Sequence, residues 1–207
     1  MAAAIRALGR SFARIRIVGA ENVPATGPLI VVANHLSNVD PAFLAAWLQP
    51  ALGRPLRFLA KEQLFATPLA PLLRSLGTIP VRAGGRDVEA YRIARAALDR
   101  GDVIAIFPEG TRSTTGILGR AHHGAALLAL RTGEAIVPVG IDGTDRLLGR
   151  GSWVPRFGTR VTIRVGRPFR LEHDPALERR EAVVRATARI MSAISELLPE
   201  ERRAAGA

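Results

Sequence analysis

Residues 29–41 read LIVVANHLSNVDP, and their reading decides the fold. Leu29–Ala33 is continuously apolar and β-branched, as in a central strand covered on both faces. Residues 34–39 are polar and turn-forming. Asp40-Pro41 then opens a helix, with aspartate at the N-cap and proline at the first helical position, running to about Leu48. A buried strand passing through a loop into a helix is the building unit of an α/β domain.

The unit recurs along the chain. Residues 15–18, 56–60, 78–81, 103–107 and 135–141 read as strands. Val161 to Val165 alternates with Thr162 and Arg164, so it reads as a more exposed or edge strand. Helices are expected at 68–76, 87–100, 124–132 and 175–198. The second carries the stripe Val88, Tyr91, Ala94 and Leu98 and stops at Gly101; the last carries Val184, Thr187, Met191, Ile194 and Leu198. The fold class is α/β: one domain, a mostly parallel mixed sheet flanked by helices, over residues 19–200. Ahead of it, residues 1–18 hold a basic amphipathic helix, with Ile5, Leu8, Phe12 and Ile15 on one side and Arg6, Arg10 and Arg14 on the other. A membrane-interface anchor and a terminal helix packed on its own domain both fit that pattern. Residues 201–207 read as a frayed tail.

The 207 residues carry a formal net charge of +11, with a pI near 11.6. Anionic partners follow: nucleic acid, anionic lipid or phosphorylated substrates. Aromatics are only 5%, and no nucleic-acid-binding signature interleaves them with the basic residues, so no nucleic acid partner is expected. The absence of cysteine excludes disulfides, thiolate metal sites and a cysteine nucleophile, and suits a reducing compartment. The uncharged segments 41–53 and 63–73 are too short to span a bilayer, and Arg6, Arg10 and Arg14 interrupt any signal-peptide core.

Ligands of open α/β sheets sit outside the carboxyl ends of the strands. NHLSNVD (34–40) and PEGTRS (108–113) each follow a core strand, and parallel strands put both loops on one edge. A neutral imidazole is a general base near neutral pH, and a carboxylate on its other nitrogen fixes the tautomer. His35 and Asp40 can form such a dyad, with a substrate hydroxyl as nucleophile; equally, Asp40 can cap the helix and His35 can bond to backbone. Ser37 lies only two residues from His35 and lacks a Gly-x-Ser-x-Gly elbow, which argues against a serine hydrolase. In the second loop Gly110 permits close backbone approach and Arg112 suits bidentate anion recognition; an ordinary turn with a surface Glu109–Arg112 pair is the alternative. The adjacent His122 and His123 diverge on any helix or strand, and no metal site is expected.

Together the two loops, in this order and separation, resemble the glycerolipid acyltransferase family of 1-acyl-glycerol-3-phosphate and other lysophospholipid acyltransferases. ENVPATGPLIVVANHLSNVDP (21–41), KEQLFATPLAPLLRSLGTIPVR (61–82), IFPEGTRS (106–113) and AIVPVGI (135–141) resemble its four blocks, over roughly residues 15–170. The resemblance implies His35 as base and Asp40 as its orienting partner. It implies Glu109, Gly110, Thr111 and Arg112, helped by Lys61, on the glycerol phosphate. Arg82, His122 and Ser113 are further candidates, and Pro138 and Val139 would line the acyl side. Two departures stand out. Arg82 follows Val81 directly, where another residue often intervenes, which moves it to the other strand face. Ala121-His122-His123-Gly124 stands where Phe-Lys-x-Gly is common. The implied reaction moves an acyl group from acyl-CoA or acyl carrier protein to lysophosphatidic acid, giving phosphatidic acid, with no bound cofactor or metal. A lyso-ornithine lipid, glycolipid or other lysophospholipid is the alternative acceptor. The implied location is peripheral, on the cytoplasmic face of the cell membrane.

Overall fold

The computed structural model describes residues 2–81, 88–152, 154–172 and 176–203. In chain order the helices are α1 (Ala2–Phe12), α2 (Asp40–Trp47), α3 (Gln49–Leu52), α4 (Ala70–Ser75), α5 (Val88–Asp99), α6 (Gly124–Thr132), α7 (Thr144–Leu147) and α8 (Arg179–Ser195). The strands are β1 (Ala13–Val18), β2 (Leu29–Ala33), β3 (Leu56–Lys61), β4 (Ile79–Val81), β5 (Val103–Ile106), β6 (Ala135–Asp142) and β7 (Thr159–Val165). They form a seven-stranded sheet in the order β1-β7-β6-β2-β5-β3-β4. From β6 to β4 every pairing is parallel; β7 runs antiparallel to β6, and β1 runs with β7.

β2 lies at the centre, and all five of its residues are buried. Its period-two alternation feeds two cores. Leu29, Val31 and Ala33 pack with Phe43, Leu44 and Trp47 of α2. Ile30 and Val32 face Leu98 of α5, Leu128 of α6 and Ile190 and Ile194 of α8. Apolar residues occupy both faces, which is why the strand reads as an unbroken apolar run. Helix α2 is itself buried nearly all round, between the sheet and α1. Arg6 Nη1 donates to Ala46 O at 2.8 Å, and a β-carbon on Gly9 would sit 2.7 Å from the Trp47 ring. Much of the apolar stripe of α1, including Ile5 and Phe12, therefore packs on its own domain, while Leu8 stays exposed.

Four expectations need correction. The N-terminal helix does not run to residue 15 or 18: it ends at Phe12, and Ala13–Val18 is a strand paired along its length with β7. Arg14, Arg16 and Val18 alternate with Ile15 and Ile17, and that period of two is satisfied by pairing. β7 is not an edge strand; β1 covers its outer side, so its exposed positions lie on one open face. In α5 and α8 the expected stripes hold except at their first residue: Tyr91, Ala94 and Leu98, and Thr187, Met191, Ile194 and Leu198, lie on the packed faces. Val88 and Val184 are exposed, and the buried face of α8 runs through Val183, Ala186, Ile190 and Ile194. Adjacent apolar residues lie about 100° apart on a helix, so packing chooses between them. Finally, Glu200–Arg202 is a 3₁₀ turn with Arg202 buried, not frayed tail.

Ile190→Ala should cost roughly 2–5 kcal/mol, as a large-to-small change in a packed core, whereas Val184→Ser should change stability by less than about 0.5 kcal/mol. Urea unfolding of the two variants checks which face of α8 is buried.

Candidate active site

β2 and β5 are adjacent and parallel, with Val32 opposite Ile106. The NHLSNVD and PEGTRS loops therefore leave the sheet side by side, as the sequence implied. The buried Asn34 anchors the first loop. Its Nδ2 donates to Ile141 O at 2.9 Å, and its Oδ1 accepts from Ile141 N at 2.7 Å. This amide takes the place of a backbone pair on β6, and nothing in the linear sequence marks it.

His35 Nδ1 lies 2.8 Å from Asp40 Oδ2. The same oxygen accepts from the backbone N–H of Leu36 at 2.7 Å and of Ser37 at 2.8 Å. Asp40 is not the N-cap expected from the sequence: Val39 holds that position and the helix begins at Asp40, whose Oδ2 serves the preceding loop while Oδ1 is buried with no hydrogen-bond partner among the described residues. The Asp40 side chain is 0% exposed and the His35 side chain 17%. A carboxylate only accepts, so Nδ1 carries the proton and Nε2 presents its lone pair. The Phe107 ring stacks on the imidazole, with centroids 4.2 Å apart and planes 21° apart. It fixes the ring's other degree of freedom. Ser37 Oγ donates to Leu148 O at 2.7 Å and is buried, which leaves no serine nucleophile beside His35.

The second loop is bound to the first. Glu109 is buried, and its two oxygens accept from the backbone N–H of His35 and of Gly119, both at 2.8 Å. Burial pushes its carboxyl above the ordinary glutamate range, against the pull of those two amides. Both Glu109 oxygens are thus taken up in clamping the two loops together, whereas the resemblance implied a place on the glycerol phosphate. Ser113 is also occupied: its N–H donates to His35 O at 2.8 Å, and its Oγ donates to Ile117 O at 2.7 Å. Gly110 sits at φ +65°, with the ring of the exposed His122 against it. A β-carbon there would lie 2.8 Å from His122 Cδ2 and displace that ring, and the left-handed turn itself favours glycine.

Thr111 is exposed, and Arg112 is part-buried with no hydrogen-bond or ion-pair partner among the described residues. Lys61 is exposed at the end of β3, level with Val81 of β4 and on the same sheet edge. Arg82 lies outside the described residues. Pro138 is buried within β6, opposite Val32, and its ring packs closely against Gly166; it belongs to the core, one layer below the loops. His123 turns away from His122, with Nδ1 2.9 Å from Thr187 Oγ1 on α8. Among the described residues no three His, Cys, Asp or Glu side chains gather in metal-binding geometry.

A third fastening comes from the far end of the sequence. The buried Arg202 bonds to both carboxylate oxygens of Asp145, at 2.8 and 3.0 Å, and to Asp142 Oδ1 at 2.9 Å. It also donates to Gly116 O at 3.1 Å, and its carbonyl accepts from Leu118 N at 2.8 Å. The stretch that leads from Ser113 to Gly119 is therefore held from outside.

Arg202→Ala should cost about 1–3 kcal/mol, since it strands two part-buried carboxylates and a carbonyl, and should raise amide exchange at Leu118. The Glu109 carboxyl has a pKa raised in the folded chain, so folding binds its proton more tightly. Its contribution is fully present below the unfolded pKa and is lost as pH rises through the folded value. Urea midpoints from roughly pH 3.5 to 7 should show this decline in the native chain and a flatter profile in Glu109→Gln.

The profile of the family described as Acyltransferase matches residues 14–142. The 1-acyl-sn-glycerol-3-phosphate acyltransferase LPAT1 of Arabidopsis thaliana is 33% identical over 145 residues, 68% of this chain and 39% of that protein. A lyso-ornithine lipid O-acyltransferase of Pseudomonas aeruginosa is 40% identical over 118 residues, 55% of this chain and 43% of that protein. The chain thus spans about two fifths of the length of these relatives. The crystal structure of the 1-acyl-sn-glycerophosphate acyltransferase PlsC from Thermotoga maritima superposes with a TM-score of 0.71 at 26% identity, covering 95% of this chain and 79% of that one. The profile match contains both loops and every strand from β2 to β6, and the chain belongs to the glycerolipid acyltransferase family.

Proposed function

We propose that the protein transfers an acyl group from a thioester, acyl-CoA or acyl carrier protein, to the free hydroxyl of 1-acyl-glycerol-3-phosphate. The observation that carries this reading is the His35–Asp40 pair at 2.8 Å, with Asp40 sealed from solvent and the outer edge of His35 open to it. Nε2 takes the hydroxyl proton as the oxygen attacks the thioester carbonyl carbon. Asp40 stabilises the imidazolium that forms. Collapse of the tetrahedral adduct breaks the carbon–sulfur bond, and the imidazolium returns the proton to the thiolate. No serine or cysteine of the enzyme enters the sequence of bonds.

The acceptor phosphate is assigned to the turn Gly110-Thr111-Arg112. A free guanidinium beside a glycine turn supports it, and Lys61 and His122 flank the same edge. The acyl chains belong to the bilayer, and the protein is read as peripheral: no helix among the described residues is long and apolar enough to cross a membrane. A second reading, transfer to a lyso-ornithine lipid, is favoured by the 40% identity to a relative of that name.

His35→Ala and Asp40→Asn should lower kcat by roughly 10²–10⁴-fold, the ordinary range for a lost general base or a wrong tautomer. Arg112→Gln should raise KM for lysophosphatidic acid by roughly 10–100-fold, from a lost charge-assisted bond, with a smaller change in kcat. Thiol release from acyl-CoA with lysophosphatidic acid and lyso-ornithine lipid in parallel measures all of these. A rate higher with the second acceptor, and indifferent to Arg112→Gln, would transfer the assignment to it.

A further inference from the structure

The β7–β1 pair runs against the other five strands, so both strands start at the sheet edge where β2, β3 and β5 end. The segment leading into β7 is tied to the catalytic loop. Arg156 N–H donates to Leu147 O at 2.8 Å, and the next carbonyl, of Leu148, accepts from Ser37 Oγ at 2.7 Å. It is tied to α1 as well: Gly158 N–H donates to Phe12 O at 2.8 Å, and the rings of Phe12 and Phe157 lie 4.5 Å apart. Phe157 is 75% exposed, Val154 is 73% exposed, and Leu8, one helical turn before Phe12, is 63% exposed. Leu8, Val154 and Phe157 are thus exposed apolar side chains on segments tied to the edge that carries His35, with the partly buried Phe12 in contact with Phe157.

Basic residues on these segments have no ion-pair partner among the described residues. Arg14 of β1 stands directly opposite Arg160 of β7, and both are exposed. Like charges in that position destabilise a sheet. Neither arginine has an ion-pair partner among the described residues, and neither do the exposed Arg10 and Arg156. Exposed Leu8, Val154 and Phe157, with Arg10 and Arg156 on the same segments and Arg14 and Arg160 at the starts of β1 and β7, match a bilayer surface with anionic headgroups met end-on by this sheet edge: acyl chains receive the apolar side chains and phosphates receive the guanidinium groups.

We propose that Leu8, Phe12, Val154 and Phe157, with Arg10, Arg14, Arg156 and Arg160, are the surface that docks on an anionic bilayer and sets the His35 edge at the lipid–water boundary. Helix α1 contributes its flank and its C-terminal end while most of its apolar face stays packed on α2. The inference rests on the acyltransferase reading only in that a lysolipid acceptor would be met in that boundary.

The test is co-sedimentation with vesicles of phosphatidylcholine alone or with about one third phosphatidylglycerol, at low and high salt. The native chain should partition onto the anionic vesicles and be released by salt. Val154→Ser/Phe157→Ser and Arg14→Gln/Arg160→Gln should each lower the partition constant by roughly tenfold or more, with the unfolding midpoint near native in the first pair and no lower than native in the second. Equal partition of native and variant chains would overturn the proposal, as would equal binding to neutral vesicles. A parallel titration with a fluorescent single-stranded oligonucleotide would overturn it in favour of nucleic acid if binding is tighter there and falls equally in both variants. Partition is read without acyl transfer, so an inactive chain that docks and an active chain that does not remain distinct results.

Discussion

One buried oxygen, Oδ2 of Asp40, organises the site. It accepts from the imidazole of His35 and from the amides of Leu36 and Ser37, all within one turn of chain. A buried carboxylate is costly unless it is hydrogen-bonded. The loop must therefore close around it, and in closing it places the imidazole. The tautomer follows from the same contact, because a carboxylate can only accept. Phe107 supplies the stacking surface, and as the residue after β5 it arrives by the pairing of β5 with β2.

A second buried carboxylate repeats the device between loops. Glu109 takes the amide of His35, Ser113 donates to the carbonyl of His35, and Arg202 holds the far side of the Ser113–Gly119 stretch. The His35 loop and the Gly110–Arg112 turn therefore form one cross-linked unit, and the parallel β2–β5 pair is its foundation. Arg202 lies beyond the residues that match the family profile, so this chain completes the unit with its own C-terminal turn.

Much of this was legible in the linear sequence. Strands β2, β5 and β6 read as apolar runs because both of their faces are covered, and the helix expected at 124–132 is α6. The two loops were placed on one edge because parallel strands leave no other arrangement. The α1–β1 junction was misplaced because the helical spacing of Ile5, Leu8, Phe12 and Ile15 continues past the real boundary. Pairing with β7, far downstream, ends the helix at Phe12. The stripe of α8 was misread at Val184 for a similar reason: Val183 and Val184 are equally apolar, and only the packing partner separates them.

By itself the sequence determined most of the strands and the longer helices, that a histidine and a carboxylate share a turn, and that the chain is strongly basic. Those features depend on neighbours within a few residues. Tertiary structure alone decided what each polar group does. Asp40 faces its loop; Glu109 serves the amides of His35 and Gly119; Asn34 completes β6; Arg202 binds Asp142 and Asp145. The partners of Asn34 lie 107 residues away, and those of Arg202 lie 57 and 60. A hydrogen-bonding group takes the donors and acceptors that folding brings within reach, and burial decides how strongly it needs them. Neither quantity exists until the chain is folded.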